Sequence, residues 1–203
     1  MPDLDAERRH WHAGRRFVAG TDEAGRGCLA GPVVAAAVVL APSATEADWP
    51  GLTDSKKLSP AQRAALLPQI ERRALGVGIG LCSPAEIDTL NILWASLEAM
   101  RRAVAALPCC CDALLVDGNR AIPDAPWPQT PLVKGDARSL SIAAASVVAK
   151  ETRDRLMVEL HAAYPMYGWS GHKGYPTKAH YDALAAHGPS PHHRRSFRLR
   201  RGG

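Results

Sequence analysis

Four carboxylates stand where the patterning of the chain expects elements to end. Asp22 and Glu23 sit in the run Thr21-Asp22-Glu23-Ala24-Gly25-Arg26-Gly27, directly after the apolar stretch Phe17 to Ala19. Asp117 follows the apolar run Ala113 to Val116, and Asp136 precedes a long alanine-rich segment. Carboxylate oxygens are hard ligands suited to Mg²⁺ or Mn²⁺, and Mg²⁺ characteristically takes a few of them together with substrate phosphate and waters. Four acids gathered without a cation would repel one another strongly. Two ions roughly 3.5–4 Å apart can clamp a scissile phosphate, one activating water and the other stabilising the leaving oxygen. The chemistry expected of such a set is in-line phosphodiester hydrolysis.

Each acid also has a plainer reading on its own. Successive side chains of a strand point to opposite faces, so Asp22 and Glu23 are expected to share a ligand only where the strand ends and the backbone turns. The same heptapeptide reads equally as a solvated acidic strand end before a glycine turn. Asp117, followed by Gly118-Asn119, reads as a turn residue, and Asp136 as a helix-start charge complementing the dipole.

The elements that must position these groups follow from period and punctuation. Phe17 to Thr21 and Pro32 to Leu40 read as a hairpin-like pair of buried strands, and Leu75 to Cys82 as a third. Ser59-Pro60 supplies an N-cap and a proline at N1 for a helix to about Ala74, with Pro68 a possible kink. Ser83-Pro84-Ala85-Glu86 is a capping box opening a second helical stretch that continues through the amphipathic segment Ile92 to Leu107. Ala113 to Val116 and Pro131 to Val133 read as short strands, Arg138 to Leu160 as a long helix, and Lys178 to His187 as a last one. Gly76-Val77-Gly78-Ile79-Gly80 lacks the helix that a dinucleotide loop would open, so it reads as a strand closely packed by a neighbour. Early antiparallel strands followed by βα units imply an α/β domain of two or three layers around a central mixed sheet.

At 203 residues, 46% of them hydrophobic and 22% charged, the chain can bury one sizeable core, and a single domain spanning residues 1–203 is expected. Its core is expected over about 17–187, with 188–203 a basic tail. Residues 1–191 are balanced in charge, so the net charge of +5 comes from Arg194, Arg195, Arg198, Arg200 and Arg201. Such a terminus reads as a nucleic-acid-seeking arm or as a solubilising end. Residues Met1 to His10 are polar and acid-containing, unlike a signal peptide, and the longest apolar run, Val33 to Ala41, is too short for a bilayer. A cytoplasmic protein with no membrane association is expected. Five cysteines, three of them adjacent at Cys109 to Cys111, form neither a disulfide framework nor a zinc-ligand spacing and point to a reducing compartment.

Five blocks in order resemble the type 2 ribonuclease H family, ribonuclease HII. They are Asp22-Glu23-Ala24-Gly25-Arg26-Gly27 with Leu29 to Val34; Asp54-Ser55-Lys56-Lys57-Leu58-Ser59; Val116-Asp117-Gly118; Lys134-Gly135-Asp136 leading into Ser141 to Ser146; and His172-Lys173-Gly174-Tyr175 with Thr177, His180 and the His-Gly-Pro and His-Arg-Arg-Ser-Phe pattern of residues 187–197. The resemblance implies the ribonuclease H fold with a C-terminal helical extension. It implies that Asp22, Glu23, Asp117 and Asp136 are catalytic metal ligands for Mn²⁺ or Mg²⁺, with two ions when substrate is bound.

The same resemblance implies that Gly25, Arg26 and Gly27 contact the 2′-hydroxyl and adjoining phosphate of a ribonucleotide. Glycines permit close backbone approach, and the 2′-hydroxyl is what distinguishes RNA from DNA. Tyr175 corresponds to a tyrosine stacking on the sugar beyond the ribonucleotide, and Lys56 and Lys57 to phosphate contacts. His172, Lys173, Arg194 and Arg195 are weaker candidates. Cys28, Glu151 and Trp169 depart from the common pattern without removing a ligand. The implied activity is an endoribonuclease, expected to be monomeric, acting on RNA-DNA hybrids and on single ribonucleotides in duplex DNA. Alternatives are a ribonuclease HIII-like nuclease, whose family carries an additional N-terminal domain where only sixteen residues precede the first strand here, and a non-catalytic hybrid-binding protein.

Overall fold

The computed structural model describes residues 1–200; Arg201 of the basic terminus lies outside them. A five-stranded mixed sheet in the order β3-β2-β1-β4-β5 is built from β1 (Val18–Ala24), β2 (Val33–Val39), β3 (Gly76–Cys82), β4 (Ala113–Asp117) and β5 (Gln129–Leu132). β2 runs antiparallel to both β1 and β3, whereas β4 lies parallel to β1 and β5 parallel to β4. This is the expected mixed sheet, with helices on both faces.

β2 explains the layering. Its sequence, Val-Val-Ala-Ala-Ala-Val-Val, is buried throughout, and its alternate residues feed two cores. Val33, Ala35, Ala37 and Val39 pack with Ala95, Ala99, Met100 and Ala103 of α4 (Ile92–Ala105). Ala36 and Val38 pack with Ala143, Ala144, Val147 and Val148 of α5 (Leu140–Ala163). Small residues bring the helices close. A Cβ on Gly78 or Gly80 would overlap backbone atoms of α4, and one on Gly20 of β1 would overlap the backbone at Ser141 and Ile142. The glycine-rich strand is therefore closely packed, as its sequence implies.

α2 (Pro60–Arg73) and α3 (Pro84–Leu90) begin with capping boxes, Ser59 with Gln62 and Ser83 with Glu86, each cap worth about 1 kcal/mol. α2 runs unbroken through Pro68, which is exposed, so the carbonyl left without an amide partner can turn to water. The expected continuous stretch after Ser83 divides instead at Asn91, whose φ of 64° stops α3 and whose side chain accepts from Leu93 N and Trp94 N to start α4.

Other boundaries also move. α5 starts at Leu140 because Ser139 caps it, accepting from Ile142 N at 3.2 Å. β5 begins at Gln129, whose side chain grips both Ile122 N and Ile122 O, and stops before Val133, which is 58% exposed. A helix the sequence did not announce, α1 (Asp5–His12), docks by Glu7, buried and accepting from Ser139 Oγ at 2.6 Å and from Ser141 N and Oγ at 2.9 and 2.6 Å. α6 (Trp169–His172) and α7 (Lys178–His187) form the C-terminal extension. No helix of the described residues is long and apolar enough to cross a membrane, and all five cysteines are free.

Candidate active site

The parallel pairing of β1 with β4 assembles the acids. Thr21 is paired with Val116, so the next residue on each strand, Asp22 and Asp117, comes side by side at the carboxyl ends of two neighbouring parallel strands, where open α/β sheets bind their ligands. Carboxylate oxygens of Asp22, Glu23 and Asp117 all lie within 4.8 Å of one another. β1 remains paired through Ala24, with Glu23 opposite Ala35. The two adjacent acids thus meet inside the paired strand, and the expected turn follows at Gly25, whose φ is +98°. The extra methylene of glutamate gives the reach that alternation would otherwise deny.

Asp136 is drawn in by a different route. It sits in a 3₁₀ turn, Gly135–Ala137, and is 6% exposed. Gly135 N donates to Asp117 Oδ1 at 2.7 Å, and Lys56 Nζ lies 3.4 Å from Asp136 Oδ2. Asp136 is not one of the three mutually close carboxylates but borders them, and its charge acts on Asp117. Lys56 stands on a 3₁₀ turn, Ser55–Lys57, tied to α5 by Ser55 N donating to Ser146 Oγ at 3.2 Å. Lys57 is exposed and forms no ion pair among the described residues.

The electrostatics suit a cation. Burial, then Glu23 and Asp117, push the Asp22 carboxyl well above the usual range. Burial also raises Glu23 against the opposing pull of Arg26. Burial and Asp136 raise Asp117 against the Gly135 amide. Lys56 moves upward because Asp22, Asp136 and Asp54 outweigh the cost of its partial burial. A carboxylate trio, Asp22 buried and Glu23 and Asp117 partly so, with one ammonium at its rim retains excess negative charge that a divalent cation would neutralise. The donor set, oxygen only, fits Mg²⁺ or Mn²⁺.

Gly25-Arg26-Gly27 follows the acids directly. Arg26 Nη1 lies 3.1 Å from Glu23 Oε1 with its side chain half exposed, and Gly27 is open to solvent. Tyr175 is 40% exposed beside a groove of about 570 Å³ that Lys150, Asp154 and His172 also line, and Lys150 Nζ lies 5.6 Å from its ring centre. Of the weaker candidates, Arg195 is exposed, whereas Arg194 is fully buried and cannot reach a phosphate. The basic terminus is therefore not a free arm from residue 188 onward: Ser190, His193 and Arg194 are core residues. Sequence reasoning missed this, and it missed Arg153, a fully buried arginine on α5. Neither position carries a local signal that separates it from a solvated arginine.

Behind Tyr175 lies an aromatic and imidazole cluster. Trp169 Nε1 donates to His180 Nε2 at 3.1 Å, His193 Nε2 lies 3.0 Å from the same atom, and His180 Nδ1 lies 3.0 Å from Tyr175 O. Ser190 N donates to His193 Nδ1 at 3.0 Å. These partners leave His180 protonated at Nδ1 and His193 at Nε2. Burial, and His180 second, bring His193 down to about 4. The unfolded imidazole titrates near 6.5, so between these values the unfolded chain holds a proton that the folded chain lacks. Stability contributed by the neutral ring is present above about pH 6.5 and is lost as pH falls toward 4. The expected loss is on the order of 1–3 kcal/mol. Thermal melts between pH 7 and 4.5 are expected to flatten for His193→Gln relative to wild type, a comparison that cancels the opposite trend of the raised carboxylates.

Residues 19–200 match the family model for ribonuclease HII. The chain is similar to ribonuclease HII of Salinibacter ruber, 55% identical over 97% of this chain and 98% of that protein, and to ribonuclease HII of Syntrophotalea carbinolica, 57% identical over 95% and 90%. Among solved structures, ribonuclease H2 of Pyrococcus horikoshii superposes with a TM-score of 0.75 at 28% identity, covering 90% of this chain and 94% of that one.

Proposed function

The chain belongs to the ribonuclease HII family and is a type 2 ribonuclease H, and from that premise we propose that it hydrolyses the phosphodiester 5′ to a ribonucleotide. The substrates are RNA-DNA hybrids and duplex DNA carrying a single ribonucleotide; the products carry 3′-hydroxyl and 5′-phosphate ends. Its role on this reading is ribonucleotide removal from DNA, as a cytoplasmic monomer. The observation that carries the reading is the convergence of Asp22, Glu23 and Asp117 within 4.8 Å, with the left-handed Gly25 turn two residues after Glu23.

In this mechanism Asp22, Glu23, Asp117 and Asp136 would hold two Mn²⁺ or Mg²⁺ ions. Bound divalent ions would supply neutralisation of the charge that develops on the phosphate and a lowered pKa for the attacking water. The chain's own groups do the rest. Lys56 keeps Asp136 oriented from the rim. Gly25 and Gly27 let backbone groups approach the 2′-hydroxyl, and only a ribonucleotide offers that donor and acceptor. Arg26 pairs with Glu23 at 3.1 Å, and its planar fork also matches a phosphate, so an incoming phosphate would compete for it. Tyr175 offers a stacking face for the next sugar, with Lys150 beside its ring and Lys56 and Lys57 facing the phosphates.

A duplex with one ribonucleotide is expected to be cut in Mn²⁺ or Mg²⁺ on its 5′ side, and its all-deoxy counterpart to stay intact under the same conditions. End-labelled duplexes resolved by length check both rate and position. Comparable cutting of the two would replace this reading with a nonspecific nuclease.

A further inference from the structure

Arg153, His193 and Arg194 are all buried, and the cleavage chemistry uses none of them. Neither guanidinium forms an ion pair among the described residues. Both are spent on backbone carbonyls instead. Arg153 donates to Ala30 O, Pro32 O and Lys173 O, each at 3.0 Å. One planar fork thereby joins the chain leaving the glycine turn to the chain entering Tyr175. Arg194 donates to Arg26 O at 2.9 Å and Gly31 O at 3.0 Å, gripping the other side of the same turn.

His193, the residue before Arg194, completes the link. Through His180 it reaches the carbonyl of Tyr175. Backbone bonds run in parallel: Leu29 N donates to Gly174 O at 2.8 Å and Arg194 N to Leu29 O at 2.9 Å. Burying an arginine without a carboxylate is costly, and burial together with Arg153 depresses Arg194 to about 10. Apolar side chains would fill the same space at lower cost. What they could not do is fix the direction of five carbonyls on two separate segments.

We propose that Arg153, His193 and Arg194 are positioning residues, a rigid frame that sets the separation between the Gly25–Gly27 turn and Tyr175 and thereby the preference for an isolated ribonucleotide. This rests on the assignment of the turn and Tyr175 as substrate contacts. A single ribonucleotide in duplex DNA offers one register in which both contacts can be made. A continuous hybrid offers many, so a loosened frame costs it less. Misplacement of a reacting group by about 1 Å can cost on the order of 10²-fold.

The test uses Arg153→Lys and Arg194→Lys, which keep the charge and lose the fork. For each, kcat/KM is measured on a single-ribonucleotide duplex and on a continuous hybrid, with cut positions mapped. Expected is a fall of about tenfold or more in the ratio of the two, with cuts spreading along the hybrid. Ile87→Val, a fully buried change in the core against α4, is the control for a merely structural role: it should lower the melting temperature and leave the ratio alone. Should the arginine variants fail to fold, Phe197→Leu decides, because it removes the ring lying 5.1 Å from the Arg194 guanidinium and should shift the ratio the same way by a few-fold. An unchanged ratio in folded variants, or an equal change in Ile87→Val, overturns the proposal. Wild-type protein that cuts both substrates and an all-deoxy duplex alike would instead sink the underlying assignment.

Discussion

Asp22→Asn is expected to lower kcat by about three orders of magnitude while raising the melting temperature of the metal-free protein. The two effects share one cause. Asp22 is 3% exposed and faces Glu23 and Asp117, so its ionised form is disfavoured by burial and by like charge, and its pKa is raised. A raised carboxyl binds a proton more readily folded than unfolded, which means that the folded state loses stability as pH rises above the unfolded value near 4. Asparagine removes the charge and still accepts from Glu23 N, the bond Asp22 makes at 2.7 Å.

Catalysis moves the other way. Losing one ligand charge from a divalent site forfeits several kcal/mol of transition-state stabilisation, and each 1.36 kcal/mol is tenfold in rate. Calorimetry with and without Mn²⁺ separates the two effects: the cation should raise the melting temperature of wild type and move that of the variant much less. A variant that is less stable without metal, or that retains near-normal cleavage, would remove Asp22 from the ligand set.

Gly25→Ala is expected to cost about 2–5 kcal/mol of stability and about 100-fold in kcat/KM. At φ +98° an alanine adds strain, and its methyl group would lie on the Nε and Cδ atoms of Arg153. The turn or the guanidinium must give way, and that guanidinium ties the chain leaving the turn to Lys173, two residues before Tyr175. Denaturant melts and single-ribonucleotide cleavage check this, and Gly51→Ala is the comparison. That glycine also has a positive φ, 78°, but has open space around it, so it should show the backbone strain alone and normal kcat/KM.

What could be read from sequence divides along a physical line. The strands, the capping boxes at Ser59 and Ser83 and the closeness of the glycine strand to its neighbour are local statements, and the structure has them. Three of the four acids come together because adjacent residues, Asp22 and Glu23, need only one parallel strand to bring in Asp117. The place of Asp136, bordering rather than joining the trio, depends on the turn at Lys134, which has a left-handed φ of 56°. Nothing in the residue pattern specifies that. Helix α1 was invisible because its eight residues present no apolar stripe, and it is held by the buried Glu7 carboxylate more than 130 residues from its partners. Arg194 misled for the same reason. In an arginine-rich stretch only the tertiary contacts distinguish a core guanidinium from a solvated one.

Those contacts impose an order on synthesis. Arg194 lies 168 residues after Arg26 and 163 after Gly31, whose carbonyls it holds. Chains emerge from the ribosome at roughly 5–20 residues per second, so on the order of 10–30 s separate the appearance of the glycine turn from that of the residue that locks it. Until then the acids of β1 and β4 can pair while the turn beside them is unrestrained. On the proposed reading, a nascent chain therefore gathers its negative charge before it can select a nucleotide, and discrimination waits for Arg194, 168 residues after Arg26.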